Sequence, residues 1–137
     1  MASHPVPAYE LIDIPTVRQE RGSLAIIEGD TLPFSIARTY YLFDVPSDAS
    51  RGGHAHKELQ QCLVAVSGSF DVVLDDGKNR ATVTLNKPNR GLLIPEGTWR
   101  EMENFSSGSV CLVLASQQYD ESDYIRDYEQ FLAHYAS

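Results

Sequence analysis

The chain has 137 residues, 42% hydrophobic and 22% charged, the proportions of one ordinary soluble globular domain that can bury its own core. Its 19 acidic against 11 basic residues give a net charge of −8, which disfavours a nucleic-acid partner, and no apolar run is long enough to cross a membrane. The opening "MASHPVPAYELIDIP" lacks a basic residue leading into an apolar stretch, so no secretory signal is read and the cytoplasm is the expected compartment.

After an N-terminal arm over residues 1–10, the sequence reads as short β-prone runs broken by Gly, Pro, Asn and Asp. These are 23–28 (SLAIIE), 35–43 (SIARTYYLF), 61–66 (QCLVAV), 69–74 (SFDVVL), 80–85 (RATVTL), 91–94 (GLLI) and 109–115 (SVCLVLA). The spacing predicts a sandwich or barrel rather than βαβ units. Phe70, Val72 and Leu74 share one face of their strand, with Asp71 and Val73 on the other. Asp76-Gly77 between two alternating runs signals a hairpin. The period then changes: over 120–135, Tyr124, Ile125, Tyr128, Phe131, Leu132 and Tyr135 fall on one helical stripe, read as packing surface, with Asp120 or Ser122 as N-cap. Cys62 and Cys111 each lie inside an apolar run and read as core thiols. No repeat or linker divides the chain, so 1–137 is taken as one domain.

Chemistry concentrates in "RGGHAHKELQQ". Of four histidines, His4 and His134 lie near the ends, leaving His54 and His56 as the internal supply. On a strand, residues i and i+2 project together, so the two imidazoles share a face. A second stretch, "GLLIPEGTWREMEN" (91–104), completes a layout similar to the two signature motifs of the cupin superfamily. His54 and His56 match its paired His, and Gly91, Pro95, Gly97 and Asn104 match its second motif. Gln61 stands at the usual Glu, and Arg100 at the third His. A catalytic metal needs three or four converging N or O ligands. Gln61 is a poor substitute, and Arg100 has no lone pair to give. No metal and no cofactor are therefore expected. The resemblance implies an all-β cupin, a double-stranded β-helix (jelly-roll) barrel with one short C-terminal helix. Histidines near neutral pKa beside fixed donors suit proton transfer and anion holding.

The stretches "RGSLAIIE", "PFSIARTYYLFD", "RGGHAHKELQQCLVAVSGSFDVVLDDG", "WREMENFS" and "LVLASQQYDESDYIRDYEQF" resemble the WxcM-like (FdtA-type) family of nucleotide-sugar 3,4-ketoisomerases over nearly the whole chain after residue 10. The resemblance implies a dTDP-linked 4-keto-6-deoxyhexose as ligand, a ketone shift from C4 to C3 through an enediol(ate), and a homodimer exchanging N-terminal strands. It casts His56 as principal base, His54 as its partner, and Tyr40 or Tyr41 as a hydroxyl donor; the two tyrosines face opposite sides, so one faces inward. Arg51 and Arg21, with Arg38, Arg100, Gln61 and Gly53, are the candidates for holding substrate, while Arg18 and Arg90 read as surface residues. Two other readings are a metal-free 3,5-epimerase, disfavoured because no Asp is convincingly placed beside the His pair, and a non-catalytic sugar-nucleotide-binding barrel. A metal-dependent oxygenase is the weakest.

Overall fold

The structure, a computed structural model, describes residues 6–135; His4 and the first half of the expected arm lie outside them. Two five-stranded antiparallel sheets face each other. The first runs β1 (Glu10–Asp13), β9 (Arg90–Ile94), β6 (Gln61–Ser67), β11 (Val110–Ala115), β4 (Arg38–Leu42); the second runs β12 (Tyr124–Ile125), β5 (Arg51–His56), β10 (Trp99–Glu103), β7 (Phe70–Asp75), β8 (Arg80–Leu85). A separate hairpin joins β2 (Thr16–Gln19) to β3 (Gly22–Ala25), and the chain closes with helix α1 (Tyr128–Tyr135). This is the jelly roll that the sequence predicts. No helix among the described residues is long and apolar enough to cross a membrane.

Alternation explains the core. The inward residues Leu63, Ala65, Phe70, Val72, Leu74, Leu92, Ile94, Met102 and Val113 pack between the sheets, removing their apolar surface from water. Cys62, Val64 and Leu114 point the other way and meet Ile14, Leu32, Ile27 and Phe34. Both cysteines are buried free thiols. The β7–β8 hairpin turns through Asp76–Asn79, with Asp76 N–H donating to the Asn79 carbonyl at 3.1 Å.

The stretch 120–135, expected as one helix, is divided. A 3-10 turn over Glu121–Asp123, capped by Asp120, leads into β12, which pairs with β5; only then does α1 begin. Asp127 caps that helix, its Oδ1 accepting from Glu129 N–H at 2.8 Å. The pairing of Tyr124 opposite His56 and Ile125 opposite Ala55 overrides helical propensity. Phe131, Trp99, Ala55 and Ile125 then form a small core beneath the helix.

Candidate active site

One end of the barrel interior is polar. Strand parity puts Arg38 and Tyr40 of β4, Gln61 of β6, His54 and His56 of β5, Arg100 of β10 and Tyr124 of β12 on the inward sides of their strands, in line with the apolar core residues. A cavity of about 330 Å³ opens there, lined among others by Arg38, Tyr40, Arg51, His54, Tyr124 and Arg126.

The Gly pair before the histidines has a mechanical purpose. Arg100 of β10 lies opposite His54, but the next residue, Glu101, lies opposite Gly52. Gly53 is thus the extra residue of a β-bulge, at φ +65°. That left-handed conformation favours glycine, and a bulge of this kind re-aims the side chains next to it. Gly52, rather than Gly53, is the glycine on the cavity wall.

His54 lines the cavity, and neither of its ring nitrogens has a hydrogen-bond partner. His56 is 0% exposed and sits behind it, the two rings meeting edge-on at 4.8 Å between centroids. Tyr124 touches both, at 5.0 Å from His54 and 4.4 Å from His56. His56 Nδ1 lies 3.1 Å from Oδ2 of Asp123. Burial, and then the nearby Arg100 charge, pull the His54 pKa down to about 3. Burial, and then Arg100 and Arg38, push His56 the same way.

A depressed His54 has a consequence for stability. Below its ordinary pKa of 6.5 the unfolded chain takes up a proton that folded His54 refuses, so its contribution is complete above that value and is lost as pH falls toward about 3. Each such group contributes at most about 1.4 kcal/mol per pH unit. Thermal unfolding followed from pH 7 to about 5, above the range where carboxylates titrate, is expected to show Tm falling, with a shallower slope in His54→Asn. Equal slopes in the two proteins would contradict the depressed imidazole.

Across the cavity, Arg100 is only 1% exposed and is held by donation to the Thr98 carbonyl, from Nε at 3.2 Å and from the guanidinium at 3.1 Å. It also donates to Oε1 of Gln61. Gln61 passes the constraint on, its Nε2 donating to the Tyr40 hydroxyl at 3.1 Å. With that oxygen already accepting, the Tyr40 proton is left to point elsewhere, toward whatever oxygen enters the cavity. Burial raises the Tyr40 pKa, with Tyr124 adding to it, so the hydroxyl stays a donor at neutral pH. The residues at the two cupin ligand positions thus serve as a buried brace and its relay. His56 Nδ1 is already engaged and a guanidinium stands beside the imidazoles, so this donor set suits an anion rather than a cation.

The expected residues divide as follows. His54, Tyr40, Arg38 and Arg51 line the cavity, while His56, Gln61 and Arg100 form its buried wall. Tyr41 does not belong: it is 61% exposed on the outer face of the first sheet and packs against Phe43. Arg21 occupies the turn of the β2–β3 hairpin and is not on the cavity wall. The expectation that no Asp accompanies the histidines is corrected by Asp123, 67 positions away in sequence and brought in by the β12–β5 pairing. Tyr124 and Arg126, assigned to packing or passed over, are also cavity residues. Arg126 stacks over Tyr124 at 4.1 Å and is paired to Glu121 at 2.6 Å. The available signal was the "YDESDYIR" string, whose alternation of Asp123, Tyr124 and Ile125 was masked by the helical period that follows.

Comparison with known proteins agrees with this geometry. Residues 7–136 match the family described as FdtA: WxcM-like, C-terminal. The chain is 48% identical over 123 residues to a TDP-4-oxo-6-deoxy-alpha-D-glucose-3,4-oxoisomerase of Aneurinibacillus thermoaerophilus, covering 89% of this chain and 88% of that one. Its fold is similar to the crystal structure of a 3,4-ketoisomerase from Helicobacter canadensis, with TM-score 0.91 and 46% identity over 94% of this chain and 98% of that one. It is also similar to a mutant of the 3,4-ketoisomerase QdtA from Thermoanaerobacterium thermosaccharolyticum in complex with TDP-4-keto-6-deoxyglucose, with TM-score 0.91 and 40% identity over 93% of both chains.

Proposed function

The chain belongs to the FdtA family (WxcM-like, C-terminal), and from that membership we propose that it is an isomerase that moves the ketone of dTDP-4-keto-6-deoxyglucose from C4 to C3. The observation that carries this reading is the pairing, in one cavity, of an imidazole with both nitrogens unpartnered and three arginines, Arg38, Arg51 and Arg126. The arginines are suited to hold the diphosphate. The 4-keto group acidifies the C3 hydrogen; His54, neutral and facing the cavity, takes that proton. The enediolate that forms across C3 and C4 is stabilised by the Tyr40 hydroxyl and by the charge of Arg100 behind it. The hydroxyl proton passes from O3 to O4, with the Tyr40 hydroxyl placed to carry it. Delivery to C4 of a proton exchanged with solvent on the imidazolium leaves a hydroxyl at C4 and the ketone at C3. No net oxidation occurs.

We propose the opposite order of roles for the two histidines from that expected. His56 is 0% exposed while His54 lines the cavity, which supports His54 as the base and His56 as its partner behind it. The presence of Asp123 removes one objection to an epimerase; the whole-length likeness to ketoisomerases is what favours the isomerase.

A homodimer with exchanged N-terminal strands fits the exposed apolar surface. Leu24, Tyr41 and Phe43 are about 60% exposed, and the β2–β3 hairpin pairs with neither sheet. Light scattering should return twice the chain mass, and a monomer would oppose this assembly. The buried free thiols Cys62 and Cys111 suit a reducing cytoplasm.

Product analysis tests the reading. After incubation with dTDP-4-keto-6-deoxyglucose, carbon NMR is expected to locate the ketone at C3. A ketone retained at C4 with an inverted centre at C3 or C5 would make the protein an epimerase. Thermal protection by the nucleotide sugar without any product would make it a binding module.

A further inference from the structure

We infer that Asp123 is a positioning residue for the proton transfer, one that fixes the tautomer of His56 with the proton on Nδ1 and leaves Nε2 a bare acceptor inside the barrel. This rests on the isomerase reading given above and deepens it.

The argument starts from donor capacity. An ionised carboxylate only accepts, so the nitrogen 3.1 Å from Oδ2 must donate, and neutral imidazole then has its lone pair on the other nitrogen. The carboxylate cannot turn to relax this demand. Its Oδ1 accepts from Glu58 N–H at 2.8 Å and its Oδ2 from Leu59 N–H at 3.3 Å. The Asp123 backbone is pinned as well: its carbonyl accepts from Lys57 N–H at 2.9 Å, and its N–H donates to the Asp120 carbonyl at 3.0 Å. The turn that enters β6 and the 3-10 turn are thereby tied together around one side chain, itself almost fully buried.

The free end of His56 is the informative part. Its Nε2 is buried and without a partner, in a ring that lies 4.8 Å from that of His54 between centroids, at 86° to it. While His54 is neutral that lone pair has little to do. Once His54 carries the proton taken from carbon, an adjacent acceptor stabilises the imidazolium, whereas an N–H dipole of the opposite tautomer would repel it. The interaction is therefore stronger in the transition state than in the ground state and acts on kcat rather than on KM.

Asp123→Asn separates this role from simple clamping. The Asn side chain has one acceptor oxygen where the carboxylate has two. Oδ1 is kept by Glu58 N–H, the shorter of the two backbone bonds at 2.8 Å against 3.3 Å for Leu59 N–H, which loses its acceptor. The amide N–H then faces His56 Nδ1 and favours the proton on Nε2. Long-range proton–nitrogen spectra of the histidine side chains should show His56 protonated on Nδ1 in the wild type and on Nε2 in Asp123→Asn. Alongside this, kcat is expected to fall at least about 10-fold, since a wrong tautomer is costly to a base pair, with KM within about 3-fold. Asp123→Glu, which keeps a carboxylate, should recover part of the loss. A wild-type spectrum with His56 protonated on Nε2 would overturn the inference, as would wild-type kcat in Asp123→Asn. Should Asp123→Asn fail to fold, the wild-type spectrum decides by itself. That spectrum needs no substrate, so it stands or falls separately from the isomerase reading.

Discussion

Replacing His54 with Asn is expected to lower kcat by about 10³-fold, the middle of the range for removing a general base, while KM changes little. The substitution keeps a polar side chain of similar reach on the cavity wall but removes the one imidazole that lines it among the described residues. In the proposed reading, ground-state binding comes largely from the arginines at the cavity, which the change does not touch. His56→Asn is expected to act less severely, because His56 is 0% exposed and reaches substrate only through His54. Steady-state kinetics on both variants decides the order. A deeper loss in His56→Asn would return the role of base to that residue, as the family resemblance implied.

Phe131→Ala is expected to cost about 3–5 kcal/mol of stability, the usual range for emptying a fully buried aromatic site, and to lower Tm by roughly 10–20 °C. Phe131 is 0% exposed beneath α1 and contacts Trp99 at 5.7 Å and Tyr135 at 5.2 Å between ring centroids. This helix is the anchor of the segment that supplies Asp123, Tyr124 and Arg126, so its loosening reaches the cavity. Amide exchange in β12 and α1 should accelerate before that in β6 or β11. Uniform acceleration across all strands would mean that the C-terminal segment does not open separately from the barrel.

The barrel strands were legible in sequence where one face is apolar. Phe70, Val72 and Leu74, and likewise Leu92 and Ile94, alternate because they face the inter-sheet core. Strands that build the site were harder to read. In β10 the inward positions are Arg100 and Met102 and the outward ones Trp99, Glu101 and Glu103, so the functional residue breaks the alternation that would reveal the strand. The hairpin β2–β3 has no buried residue to create a pattern. The histidine pair was legible because the second motif, Gly91, Pro95, Gly97 and Asn104, follows it in the right order with β runs between. Their division of labour was not, since it depends on a bulge at Gly53 and on Asp123, contacts set by register and tertiary pairing. Tyr40 and Tyr41 show the same limit: alternation says that one faces inward, and only the hydrogen bond from Gln61 says which.

The central claim is that neutral imidazole in this cavity moves the proton without a metal ion. Its most direct test follows the reaction by proton NMR in D2O with protein exhaustively treated with chelator. The account predicts an undiminished rate, with deuterium appearing at C4 as the ketone moves to C3. Loss of turnover on chelation, restored by adding back a divalent metal, would contradict it.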